Sequence, residues 1–188
     1  MIETKLKFYT FAEYLEYQDG TDNKYELVNG ELISLIPASG IHALILTFLF
    51  KEFYREIIRI NAPWQVMPGN VGVRTTINKS RIPDLTIITA EQTELLKNMT
   101  TAILDSAPIL VVEIVSPGNR DDDYRFKLSE YAVTEIPEYW IVDFEAQKIS
   151  VLSLVNGFYE VEEFKNEDLI ISGTFSELKL TVNQILSV

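Results

Sequence analysis

Two acidic residues stand where apolar sequence should exclude them. Asp84 follows Pro83 and opens the run Leu85-Thr86-Ile87-Ile88, and Glu113 lies inside "PILVVEIVS", residues 108–116. Runs rich in branched residues predict buried strands, where a carboxylate is costly unless something compensates it. Two acids from neighbouring strands that face one cleft repel each other unless they share a proton or a cation. A hard divalent cation is the economical partner, because Mg²⁺ binds through one or two carboxylates and keeps positions for water and phosphate oxygens. The plainer alternative has Asp84 capping a turn and Glu113 paired with an arginine at a sheet edge.

A second set follows closely. Asp123, Lys127 and Tyr131 are spaced by four in "DDDYRFKLSEYAVT", residues 121–134, so on a helix they share one face. Only "SPGNR" separates that helix from the Glu113 strand, and a lysine there can lean over the strand's end into the same cleft. Taken alone, an Asp-Lys pair at this spacing is a solvated contact worth about a few tenths of a kcal/mol. The run Asp121-Asp122-Asp123 is read as an acidic helix start favoured by the helix dipole. Three consecutive acids project in different directions and do not make a calcium loop.

The elements that must hold these residues are legible in outline. "TFAE" (10–13) is a capping box opening a helix that ends near Gln18. "YELVNGELISLI" (25–36) predicts a hairpin turning at Asn29-Gly30, a pair that tolerates positive φ. From Ser39 a helix is expected through residue 60, buried in its first half, with Lys51, Arg55 and Arg59 emerging to solvent. "WQVMPGNVGVRTTI" (64–77) is read as irregular and extended, 83–89 as a strand, and 91–107 as a loop with at most a helical turn. Residues 108–116 and "EYWIVDF" (138–144) read as buried strands, and Asn156-Gly157 marks a second hairpin. A last helix starts near Thr181. This order predicts an α/β fold: a central mixed sheet flanked by helices, with an N-terminal and a C-terminal hairpin. Trp140, Phe48 and Phe53 fit its core better than a base-stacking surface.

Composition bounds the function. With 188 residues and 47% hydrophobic content the chain suits one domain, 1–188, with a real core. No run approaches the roughly 20 apolar residues of a membrane span, and "MIETKLKFYT" lacks the apolar segment of a secretory signal. The absence of cysteine excludes disulfides and thiolate chemistry and suits a reducing cytoplasm. A formal net charge of −12 is awkward for a protein that grips nucleic acid through its overall field.

Pro83-Asp84 followed by an acid within an apolar strand is similar to the PD-(D/E)XK nuclease core, which normally carries lysine two residues after the second acid; here that position is Val115. The wider string resembles the Uma-two family of restriction-endonuclease-like proteins, abundant in cyanobacteria. The resemblance rests on "YELVNGELI", Pro83-Asp84, "VVEIVSP", "DYRFKLSEY" and "EYWIVD" in that order, and covers roughly residues 8 to 185. It implies a restriction-endonuclease-like core and an endonuclease that hydrolyses phosphodiester bonds of nucleic acid, DNA above all. It implies Asp84 and Glu113 as ligands of Mg²⁺ or Mn²⁺, Glu26 as the acid of the first motif, and Lys127 as a migrated lysine replacing the one missing at position 115. Asp123 and Tyr131 would then support that lysine and the cleft. His42, the only histidine, either lines the cleft near Glu26 and meets phosphate or bound water, or is a helix-start residue satisfied by backbone groups.

Arg74, Lys79, Arg81, Arg120, Arg125 and Lys127 are the basic residues expected to serve substrate phosphates, and a homodimer would extend such a groove. Two further classes compete: a catalytically weak or inactive descendant that binds nucleic acid or protein, which Val115 and the acidic surface favour, and a two-carboxylate glycosidase. A glycosidase cleft is usually lined by exposed aromatics, and here most aromatics fall in apolar runs.

Overall fold

A computed structural model describes residues 7–188; the part of the N-terminal reading that concerns residues 1–6 lies outside them. Chain order gives α1 (Phe11–Leu15), β1 (Tyr25–Val28), β2 (Glu31–Ser34), α2 (Gly40–Arg59), β3 (Gln65–Pro68), β4 (Gly72–Thr76), β5 (Lys79–Arg81), β6 (Leu85–Ile88), α3 (Ala90–Leu96), β7 (Ile103–Leu104) and β8 (Leu110–Ile114). A π-helical turn, Asp122–Lys127, then runs directly into α4 (Leu128–Val133), followed by β9 (Glu138–Asp143), β10 (Lys148–Val155), β11 (Phe158–Lys165) and α5 (Val182–Leu186).

The strands form two mixed sheets. The larger has the order β11-β10-β9-β8-β6-β3, antiparallel except where β8 and β9 run parallel. The smaller has the order β2-β1-β5-β4-β7, with β4 and β7 parallel. The mixed α/β architecture is the expected one, but neither hairpin is an appendage. The N-terminal hairpin pairs through β1 with β5 and founds the second sheet, while the C-terminal hairpin extends the central one through β9. Residues 64–77 also form more structure than expected. Val66 pairs with Ile87 across β3 and β6, and Val73 pairs with Arg81 across β4 and β5, so long-range partners supply the order that local pattern did not reveal. Likewise Thr89 and Gln92 build a capping box that starts α3 within the expected loop.

Strand alternation sorts the core. Leu110, Val112 and Ile114 face a cluster with Ile45, Leu49, Phe53 and Ile57 of α2 and Ile185 of α5. Val111 and Val115 face the other way, into a smaller cluster with Tyr131, Ile136 and Tyr139. Glu113 therefore shares its side of β8 with the helix that carries Tyr131. Lys51, Arg55 and Arg59 are exposed, as the amphipathic pattern of α2 predicts, and Phe53 and Trp140 are fully buried and meet edge-to-face at 5.3 Å. No helix among the described residues is long and apolar enough to cross a membrane.

Candidate active site

The antiparallel register of β6 and β8 sets Leu85 opposite Val112. One residue further out on each strand, Asp84 and Glu113 therefore stand side by side at the carboxyl end of β8, on the face opposite the α2 core. Both line a cleft of about 570 Å³ that also receives Glu26, His42, Asp122, Asp123 and Lys127.

Asp84 is held from two directions through one oxygen. Its Oδ2 accepts the Ile114 amide at 2.7 Å and meets His42 Nε2 at 3.1 Å. Its Oδ1 has no hydrogen-bond partner among the described residues and is left for the cleft. The imidazole is in place because Ser39 caps α2 and fixes His42 in the first turn. Burial works against protonation of His42, but the adjoining Asp84 carboxylate outweighs it and holds the imidazole above its ordinary range. The other ring nitrogen, Nδ1, is buried and unpartnered.

Lys127 is buried, 8% exposed. Its ammonium lies 2.9 Å from Glu113 Oε2 and 2.9 Å from Asp123 Oδ1. The second Glu113 oxygen accepts the Tyr131 hydroxyl at 2.5 Å. The i,i+4 pair is thus not solvated; it is enclosed with a third group. Burial, together with neighbouring carboxylates, pushes the Glu113 carboxyl well above the usual range despite Lys127, and burial raises Asp123 in the same way. Burial alone would deprotonate Lys127, but Glu113 and Asp123 reverse that and hold it firmly protonated. Burial leads in raising both carboxyls, the other carboxylates around them add to it, and Lys127 offsets only part of it.

Glu26, the acid of the first motif, lines the same cleft. It is buried, and its two oxygens accept the Ile82 amide at 2.9 Å and Arg81 Nη1 at 3.0 Å. It fixes the backbone two residues before Asp84. Arg81 itself was expected on a phosphate-binding face. Instead it is 2% exposed and divides its donors among Glu26, Asp122 and Glu130, with two contacts each to Asp122 and Glu130. The remaining basic residues expected to serve phosphates are also engaged. Lys79 pairs with Glu130, Arg74 with Asp105, Arg120 with Asp143 and Arg125 with Asp121. The carboxylates of Glu130 and Asp143 are buried, whereas Asp105 and Asp121 are exposed, so the Arg74 and Arg125 pairs are surface contacts. Glu130 was missed as part of the site, and Arg81 was expected to meet substrate phosphates, not these carboxylates. The signals were present: an arginine inside the strand run "KSRIPD" and an acid three residues after Lys127.

The donor set suits a hard divalent ion: anionic oxygens, excess negative charge and one unengaged oxygen on Asp84. Among the described residues, no three His, Asp or Glu groups are arranged to hold a metal by themselves, so Asp84 and Glu113 would need oxygens from water and substrate to complete a shell.

The Uma2 family model, described as "Putative restriction endonuclease", matches residues 11–183. A curated relative from Synechocystis sp. (strain ATCC 27184 / PCC 6803 / Kazusa), "Uncharacterized protein sll1609", is 25% identical over 145 residues, spanning 76% of this chain and 79% of that protein. A crystal structure described as "a putative nuclease belonging to DUF820" from Anabaena variabilis ATCC 29413 superposes with a TM-score of 0.77 at 19% identity. The superposition covers 95% of this chain and 97% of that one. At that identity the likeness shows a shared fold.

Proposed function

The chain belongs to the Uma2 family, and from that premise we propose that it is a Mg²⁺- or Mn²⁺-dependent endonuclease that hydrolyses phosphodiester bonds of nucleic acid, DNA in the first instance. The observation that carries this reading is the buried Lys127 ammonium bridging Glu113 and Asp123 beside Asp84. Asp84 and Glu113 would hold the cation. A divalent ion held there would lower the pKa of a bound water and polarise the phosphodiester.

The protein's own groups divide the remaining work. Glu113 and Asp123 favour the charged form of Lys127 against burial, which suits it to donate. An ammonium has three N–H donors; two are engaged by Glu113 and Asp123, and the third is available to a substrate oxygen as negative charge gathers there. Tyr131 fixes the Glu113 rotamer, His42 and the Ile114 amide fix Asp84, and Glu26 with Arg81 fixes the strand that delivers Asp84. A homodimer would offer two such clefts to two strands.

The test is hydrolysis of labelled DNA with and without millimolar Mg²⁺ or Mn²⁺, with Asp84→Asn alongside wild type. Metal-dependent cleavage lost in the variant supports the reading; cleavage that persists equally in Asp84→Asn refutes it. A second reading, a catalytically weak binding module, draws on the engagement of the basic residues described above and on the incomplete metal shell. It predicts binding of nucleic acid or protein without turnover under any divalent ion.

A further inference from the structure

We infer that the nucleic acid this cleft accepts is unpaired: a single strand, or a locally melted one, whose bases lie against an apolar wall formed by Ile33, Leu35, Ile36 and Pro37. This rests on the nuclease reading and adds the substrate class. The wall runs from β2 toward the start of α2 and lines the same cleft as Asp84, Glu113 and Lys127. It is not core. Ile36 is 78% exposed and Ile33 45%, although both are large and apolar.

The opposite side of the cleft cannot hold a duplex by its backbone. Duplex affinity comes chiefly from cations that neutralise phosphates and release counterions. The cleft is lined by five carboxylates (Glu26, Asp84, Glu113, Asp122 and Asp123), and its only lysine or arginine side chains among the described residues are Arg81 and Lys127. Arg81 has its donors committed to three carboxylates, and Lys127 keeps one N–H free. An intact duplex presents mainly phosphate and sugar to such a surface and keeps its base faces stacked. An unpaired strand exposes base faces that can pack against an apolar surface, a contact an intact duplex does not offer. The wall supplies the contact that the cations do not.

The experiment uses fluorescein-labelled oligonucleotides of one sequence as single strand, full duplex and duplex with a central unpaired bubble. Cleavage is followed with Mg²⁺ and Mn²⁺, equilibrium binding in Ca²⁺ by anisotropy, and bis(p-nitrophenyl) phosphate serves as a small diester. Single strand and bubble should be bound and cut roughly tenfold better than duplex, the scale of one base contact. The log affinity of the single strand should fall with log salt at a slope shallower than about −2, equivalent to fewer than about three neutralised phosphates. Ile36→Asp and Ile36→Ala should raise KM for the single strand more than they lower kcat. Duplex bound and cut as well as the single strand, a steep salt slope, or an unchanged KM in both variants would overturn the inference. Failure to hydrolyse any oligonucleotide or the small diester sinks the nuclease reading instead, while the binding series still decides between paired and unpaired strands.

Discussion

Lys127, on a helix, and Glu113, on a strand, meet at 2.9 Å although fourteen positions separate them in sequence. Val115, where the nuclease pattern places its lysine, points to the same side of β8 as Glu113 but is buried among Tyr131, Tyr139 and Ile141. The ammonium thus enters from above the strand instead of along it. If it serves catalysis, Lys127→Ala should lower the rate of phosphodiester cleavage by roughly 10²- to 10⁴-fold, the range for one positioned donor. The same change leaves Glu113 and Asp123 without a cation and should cost about 3–5 kcal/mol of stability, the scale of a broken buried pair. Denaturant melts read that loss. A cost of only about a few tenths of a kcal/mol would mean the pair is solvated after all.

Moving the charge back tests whether the two positions serve one point. Val115→Lys with Lys127→Ala should recover part of the activity that Lys127→Ala loses, at lower stability, because position 115 lies in an apolar cluster. No recovery in a folded double variant would show that a lysine at 115 does not reach the same atoms.

A divalent ion that binds only the assembled cleft must stabilise it. Millimolar Mg²⁺ or Mn²⁺ should raise the wild-type melting temperature, and Asp84→Asn should abolish that rise while the metal-free variant melts near wild type. A melting temperature indifferent to both ions counts heavily against a metal site here.

His42 bears on the same carboxylate from the protein side. Removing a partner that orients a metal-binding group commonly costs about 10- to 100-fold in affinity or activity. His42→Ala should therefore weaken Mg²⁺ binding on that scale, read by calorimetric titration. Unchanged affinity would leave the histidine a helix-start residue with no part in the site.

Acid should loosen the other end of the helix. Burial raises the Glu130 carboxyl, but Arg81 and Lys79 outweigh it and hold the group below its ordinary range. A depressed carboxyl stabilises the fold above the unfolded carboxylate range near pH 4.5 and loses that contribution as pH falls through the folded value. Glu130→Gln should then cost roughly 3 kcal/mol at pH 7, and the gap to wild type should narrow under strongly acidic conditions. A gap independent of pH would point to packing alone.

The sequence displayed the acids more readily than their partners. Asp84 and Glu113 stand out because a carboxylate contradicts its apolar surroundings, and four-residue spacing puts Asp123, Lys127 and Tyr131 on one helical face. Arg81 was misread because pattern cannot distinguish an arginine that seeks phosphate from one enclosed by Glu26, Asp122 and Glu130. That difference depends on residues about fifty positions away on either side. For the same reason β3 and β4 were illegible: their order comes from Ile87 and Arg81, not from their own residues. His42 showed itself only as the chain's one imidazole, and its contact with Asp84 crosses 42 positions.

The π-turn of Asp122–Lys127 widens the winding just before α4 takes over. Bulges of this kind interrupt an α-helix for a single turn. Here the turn sends Asp122 to Arg81 and Lys127 to Glu113, while Asp123 stays 2.9 Å from Lys127. In regular α winding only residues three and four apart are neighbours, so Asp122 and Lys127, five apart, would turn toward different sides. The local irregularity is what lets one short segment tie the strand that leads to Asp84 and the strand that carries Glu113.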